Sequence, residues 1–183
     1  VMISNVPDEY KSKYAHNTSI RFLSKISQEE LRHHYRTSHL FLATYHMDTF
    51  GFVILEAFSY GIPCIATDQF AIQEIVTDGA RGRIVHNSVS RFGSDFLPIG
   101  SAIFNEVHPM FQVLQHPEVE YLDRLRNAIV PFLNARASLD TMGDNAYYEV
   151  SQGKFSAASR QRIMQELYQR ILSAYQNLHH YDY

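Results

Sequence analysis

The run Phe50-Gly51-Phe52-Val53-Ile54-Leu55-Glu56-Ala57-Phe58-Ser59-Tyr60-Gly61-Ile62-Pro63-Cys64-Ile65-Ala66-Thr67 reads as a helix, a stop and a strand. The helix is predicted over 50–60. Gly61 closes it, as the residue best able to take the left-handed conformation past a helix end, and Pro63 opens a strand over 63–67. Upstream lie apolar, β-branched runs at 39–45, 19–23 and 1–6, and downstream one more at 82–85. Between the second and third of these in chain order stands Ser27-Gln28-Glu29-Glu30. This is a capping box, in which the Ser27 hydroxyl accepts from the Glu30 amide and the Glu30 carboxylate reaches back to the Ser27 amide, so a helix is predicted over 28–37. Short apolar runs alternating with helical patterns at this spacing are the signature of βαβ units. The fold class is therefore α/β, a parallel sheet flanked by helices.

After residue 85 the strand-like runs stop. Apolar residues recur at steps of three and four, as in Leu122, Leu125, Ile129, Phe132 and Leu133, so 86–183 is read as a mainly helical part following a βαβ core over 1–85. Ser156 is the expected N-cap of a last long helix with an apolar stripe of Met164, Leu167, Ile171, Tyr175 and Leu178. The stretch 91–100 is the least patterned, and a frayed tail is expected over 177–183.

With 183 residues, 45% hydrophobic and 19% charged, the chain has enough apolar side chains for a core, and wholesale disorder is excluded. Sixteen Lys and Arg against 19 Asp and Glu leave a formal charge of -3, with no excess of cations to hold a phosphate backbone, so no nucleic acid is expected as a partner. Cys64 is the only cysteine, which rules out an internal disulfide, fits a reducing compartment, and reads as an inert residue of a buried strand. No apolar run reaches the roughly 20 residues needed to span a bilayer. The opening Val1-Met2-Ile3-Ser4 reads as a strand already in progress, as expected of a fragment of a longer protein.

From 50 to 67 the one carboxylate is Glu56, set between Phe52-Val53-Ile54-Leu55 and Ala57-Phe58. If that helix is buried on nearly all faces, the carboxylate is carried inward and needs donors to replace its water. Backbone amides, hydroxyl side chains or the vicinal hydroxyls of a ribose would serve. The other reading is that Glu56 points to solvent along one exposed stripe. Asp48 and Thr49 precede the helix, and Gly51 leaves the backbone open to a ligand near its first turn. The amides and dipole of a helix N-terminus suit phosphate or sugar hydroxyls, and the crevice of an open parallel sheet lies at the strand ends that deliver this loop. Asp48 is either the N-cap or a ligand contact, since it could not easily do both. His33, His34, His39 and His46 show no metal-site arrangement; His46, in the loop, is the one placed to touch substrate.

Four segments read together resemble a known family: Ser27-Gln28-Glu29-Glu30-Leu31; Asp48-Thr49-Phe50-Gly51-Phe52-Val53-Ile54-Leu55-Glu56-Ala57; Gly61-Ile62-Pro63-Cys64-Ile65-Ala66-Thr67-Asp68; and Glu74-Ile75-Val76-Thr77-Asp78-Gly79 through Gly82. The family is the group-1 retaining glycosyltransferases of the GT-B fold. The resemblance runs over about 19–85, with a weaker echo at Lys154-Phe155-Ser156. It implies one half of a GT-B fold, with 1–183 a single C-terminal domain that binds a nucleotide sugar, the N-terminal acceptor domain lying outside the chain. It implies a hexosyltransferase acting with retention of configuration and a fragment inactive alone. Asp48 and Glu56 are then the paired acids, Glu56 on the donor ribose and Asp48 near the donor sugar. His46, Thr49, Phe50, Gly51, Phe52 and Val53 complete the donor-binding set. A GT-B-type sugar-nucleotide epimerase or a non-catalytic nucleotide-sugar-binding domain is the alternative.

The resemblance implies no cofactor and no metal, with the nucleoside diphosphate sugar as donor substrate. A sugar, lipid-linked or other acceptor would come through the missing domain. No membrane span is expected, and the expected location is cytoplasmic, including peripheral attachment to the inner face of a membrane through that domain. Three departures stand out. Asp48 replaces Glu at the first acid, Thr44-Tyr45 stands where Pro-Ser is frequent, and Ser24 replaces a Gly near the nucleobase. The basic residues for the donor diphosphate are expected upstream of Val1, in preference to Arg21 and Lys25.

Overall fold

The computed structural model describes residues 1–45, 50–69, 71–87 and 118–179. It divides into two compact units, Val1–Ser38 and His39–Tyr183.

In the first unit, β1 (Met2–Ile3) and β2 (Phe22–Leu23) pair in parallel, Met2 opposite Phe22 and Ile3 opposite Leu23, joined through α1 (Asp8–Lys13). Both strands are shorter than the apolar runs that announce them. The helix α2 (Gln28–Thr37) has the predicted bounds and the full capping box. Glu30 N–H donates to Ser27 Oγ at 3.2 Å and Ser27 N–H to Glu30 Oε2 at 2.7 Å. The Ser27 amide, helped by the Ser27 hydroxyl, holds the Glu30 carboxyl below its ordinary range. No described residue of this unit is buried, so α2 stands on its capping box and α1 on local contacts such as the Lys11–Asp8 ion pair at 2.9 Å.

The second unit is a three-stranded parallel sheet in the order β3 (Phe41–Ala43), β4 (Cys64–Thr67), β5 (Gly82–Val85), with Ala43 opposite Ala66 and Ala66 opposite Ile84. All four residues of β4 are buried, as both faces of a central parallel strand must be. The pleat sends Cys64 and Ala66 to one side and Ile65 to the other, and each side has its own cluster. One gathers Ala43, Ile54, Phe58, Cys64, Ala66, Ile72, Ile75, Val76 and Ala146. The other joins Ile65 and Val85 to Tyr121, Phe132 and Met142. Burial pushes the Cys64 thiol well above its ordinary range, as expected of an inert core cysteine.

The helices are α3 (Phe52–Ser59), α4 (Ile72–Ile75), α5 (Val119–Ile129) with a 3-10 turn at Val130–Leu133, α6 (Arg136–Ser151) and α7 (Ala157–His179). The end of α3 is a Schellman motif. Gly61, at φ 69°, donates its N–H to the Phe58 carbonyl at 2.9 Å, and Ile62 N–H reaches the Ala57 carbonyl at 3.1 Å. Gly143 of α6 lies against the Gly61 carbonyl so closely that a side chain there would collide with it, which lets α3 and α6 pack backbone to backbone. An ion pair ties α6 to the residue just before β5, Arg81 to Glu149 at 2.5 Å with both side chains about one-seventh exposed.

The described residues 118–179 of the C-terminal part are mainly helical, but their apolar stripes are only partly buried. On α5 and the turn after it, Tyr121 and Phe132 anchor the packing while Leu122 and Leu133 are exposed. Ser156 caps α7 as predicted, its Oγ accepting from the Ser159 amide at 3.1 Å. The expected core stripe on that helix is not one, because Met164, Leu167, Ile171 and Tyr175 are all exposed. The helix continues through His179, past the point where fraying is expected. The stretch 91–100 lies outside the described residues.

Candidate functional site

The C-terminal ends of β3, β4 and β5 point the same way, and the chain leaves each of them into a loop there. Thr67, the last residue of β4, donates its hydroxyl to the Tyr45 carbonyl, which fixes the start of the loop after β3 to the edge of the sheet. That loop returns at Phe50 and Gly51. Gly51 is the N-cap of α3 at φ 83°, a conformation that side chains rarely adopt, and its carbonyl accepts from the Ile54 amide at 2.9 Å. It is buried, and a Cβ added there would meet Ile54 Cδ1 at 3.2 Å and Ile72 Cγ1 at 3.5 Å. The glycine thus lets the backbone pass flat against the core. It also has no side chain of its own with which to cap the first amides of α3, whose positive end starts at this edge of the sheet.

Burial along α3 decides the question left open for its carboxylate. Ile54, Ala57 and Phe58 form the buried face, Val53 and Leu55 are half-buried, and Glu56 is exposed. Of the two readings of Glu56, the exposed one therefore holds and the inward one does not. In a helix of only eight residues packed on one side, Phe52 and Glu56, four apart, share the face turned away from the core. Phe52 is 70% exposed.

Of the other predicted site residues, Phe50 is half-buried and packs on the core cluster, and Gly51 and Val53 stand as described above. His46, Asp48 and Thr49 lie outside the described residues. The N-cap of α3 is Gly51. The structure brings in a distant segment too. Phe155, between α6 and α7, closes edge-on against Phe50 with centroids 6.4 Å apart, and Lys154 Nζ sits 5.1 Å from the Phe155 centroid and 3.4 Å from Glu74 Oε2. The weak echo at Lys154-Phe155-Ser156 is thus in contact with the loop that precedes α3.

A second polar cluster at the same edge escaped sequence reasoning. Asp68 and His86 follow the last residues of β4 and β5, which are register partners, and so stand side by side. Asp68 Oδ2 lies 2.5 Å from His86 Nδ1, while Oδ1 accepts the Asn87 amide at 2.8 Å. Arg124 Nε donates to the His86 carbonyl at 3.1 Å. Burial, and then the Asp68 charge, raise the Tyr121 hydroxyl above its ordinary range, with Arg124 opposing. This cluster ties the ends of β4 and β5 to α5. Among the described residues no group of three His, Cys, Asp or Glu side chains could hold a metal ion, and no helix is long and apolar enough to cross a membrane.

Residues 7–92 match the family described as glycosyl transferases group 1, and the match contains both β4 and β5 and the whole of α3. The segment belongs to the group 1 glycosyl transferases. Solved structures agree on the fold. Sucrose-phosphate synthase from Thermosynechococcus elongatus is 21% identical at a TM-score of 0.63, covering 91% of this chain and 34% of its own. HepE from Anabaena, solved in complex with UDP and glucose, is 18% identical at 0.59, covering 88% and 35%. The C-terminal domain of LpcC, a group 1 family protein from Francisella tularensis, is 17% identical at 0.53, covering 79% and 58%. No curated protein matches the sequence. The chain spans about a third of the length of the first two solved chains. The group 1 glycosyl transferase segment therefore has the Rossmann-like parallel fold of one half of a GT-B protein, as its sequence implies.

Proposed function

We propose that this chain is the donor-binding, C-terminal half of a retaining glycosyltransferase that moves a hexose from a nucleoside diphosphate sugar to an acceptor. One observation carries the reading. The N-terminus of α3 opens at the strand-end edge through the left-handed Gly51, and an exposed carboxylate, Glu56, stands one turn further along the same helix. This is the order in which a sugar diphosphate and its ribose follow one another. The backbone at Phe50, Gly51 and Phe52 would meet the sugar or diphosphate, Val53 would flank the nucleoside, and Glu56 would accept the vicinal ribose hydroxyls through both oxygens. His46, Asp48 and Thr49 complete the sugar end, and Asp48 and Glu56 are the paired acids. The structures of HepE with UDP and with UDP-glucose support a nucleotide sugar as the donor class.

Exposure of Glu56 changes the energetics of this role without removing it. No buried charge has to be maintained before the donor arrives, and two charge-assisted hydrogen bonds to the ribose form when it does. Chemistry rests on holding the donor and stabilising the departing diphosphate, without an obligatory metal or further cofactor. The acceptor enters through the N-terminal half, so this chain alone is inactive, and the proposed place of work is the cytoplasm or the inner face of a membrane.

A panel of nucleoside diphosphates and their sugars tests the reading in the intact protein. At a hundredfold excess over Kd, the matching nucleotide should raise Tm by about 5 to 10 °C. Product analysis should then find the transferred sugar with its anomeric configuration retained. No stabilisation by any member of the panel would contradict donor binding, and release of an epimerised sugar without transfer would make the protein an epimerase.

A further inference from the structure

Phe52 is an aromatic side chain left 70% exposed at the first position of α3, and its ring is held from behind. The left-handed turn at Gly51 folds the chain so that the rings on either side of it meet, Phe50 and Phe52 having centroids 4.7 Å apart at 43°. Phe50 is itself backed edge-on by Phe155, 6.4 Å away at 80°, and both of these rings pack on the buried core cluster. A ring supported through two others into the core is preorganised, so a ligand laid on it does not have to order it first. The ring also shares its face of α3 with Glu56, one helical turn away. Phe52 stands at the N-terminal end of that face and Glu56 further along it, so with the ribose at Glu56 the ring lies toward the sugar end of the donor.

We propose that Phe52 is a specificity-determining residue for the donor, its ring stacking against the C–H face of the transferred hexose; this rests on the donor-binding reading above. The negative face of the aromatic quadrupole attracts the weakly positive C–H groups. The contact therefore favours a pyranose whose hydroxyls on that face are equatorial over one with an axial hydroxyl there. It acts on the sugar and leaves the nucleoside diphosphate to Glu56 and the amides of α3.

Calorimetric titration of the intact protein with matched pairs, UDP and UDP-glucose, ADP and ADP-glucose, GDP and GDP-mannose, separates the outcomes. For the pair that wild type binds, Phe52→Ala should weaken the sugar nucleotide about 3- to 10-fold while the free diphosphate changes less than about twofold. Phe52→Tyr, which keeps the ring, should restore the difference. Equal weakening of both members of the pair, or no change in either, overturns the sugar contact and leaves donor binding standing. A loss of thermal stability in Phe52→Ala with both affinities intact also overturns it, since the ring then packs against protein. Wild type that binds no member of any pair brings down the donor-binding reading itself.

Discussion

The helices α3 and α7 carry apolar residues at similar spacings and meet opposite fates. In α3, Ile54, Ala57 and Phe58 are buried against the sheet and α6. In α7, which at 23 residues is about 34 Å long, Met164, Leu167, Ile171 and Tyr175 repeat at three and four and are all exposed. Periodicity defines a face, and burial requires something to cover it. What distinguishes α3 is its place between two parallel strands of one sheet, where the crossover lays it on β3 and β4, with Gly61 and Gly143 allowing α6 to close over it. A third case lies between these two. The helix α2 buries nothing and is held by its cap.

These three helices should therefore respond differently to substitution. Phe58→Ala, which removes a fully buried ring from the main cluster, should cost about 3 to 5 kcal/mol in urea unfolding of the intact protein. A cost under about 1 kcal/mol would show that α3 is not held by its buried face. Ser27→Ala should cost about 1 kcal/mol, the usual value of a lost N-cap. The pH dependence of the capping box follows from the lowered Glu30 carboxyl. A depressed native pKa contributes stability above the unfolded value, ordinarily 4.5, and that stability is lost as pH falls through the native value. The difference between wild type and Glu30→Gln should thus shrink as the pH is taken below about 4; a difference unchanged down to pH 2 would break the link between the Glu30 charge and the cap. Ile171→Gln, on the exposed stripe of α7, should stay within about 0.5 kcal/mol. A loss as large as that of Phe58→Ala would mean the α7 face is covered in the intact protein and would remove the contrast.

Much of the fold was legible because its signals are local. The Ser27–Glu30 box, the Gly61 stop and the Ser156 cap each depend on residues within a few positions, and each appears where the sequence places it. All five strands appear as well, although β1 and β3 keep only an inner part of their apolar runs and β2 only its last two residues. Orientation was harder to read. Phe52-Val53-Ile54-Leu55 is apolar on every side, so composition alone did not reveal that Glu56 shares the outer face with Phe52. The four-residue step between them would have indicated it. The Asp68–His86 pair, 18 residues apart, becomes adjacent only once Thr67 and Val85 are in register, a fact of pairing and not of local sequence. Phe155 is brought to Phe50 from more than a hundred positions away by the packing of α6 on α3.

The role of the exposed face of α3 is tested most directly by titrating the preferred nucleoside diphosphate into wild type and Glu56→Gln by calorimetry. The account predicts a loss of about 1.5 to 3 kcal/mol, roughly 10- to 150-fold in Kd, as the charge-assisted contact to the ribose is removed. Equal affinity for the two proteins would contradict it.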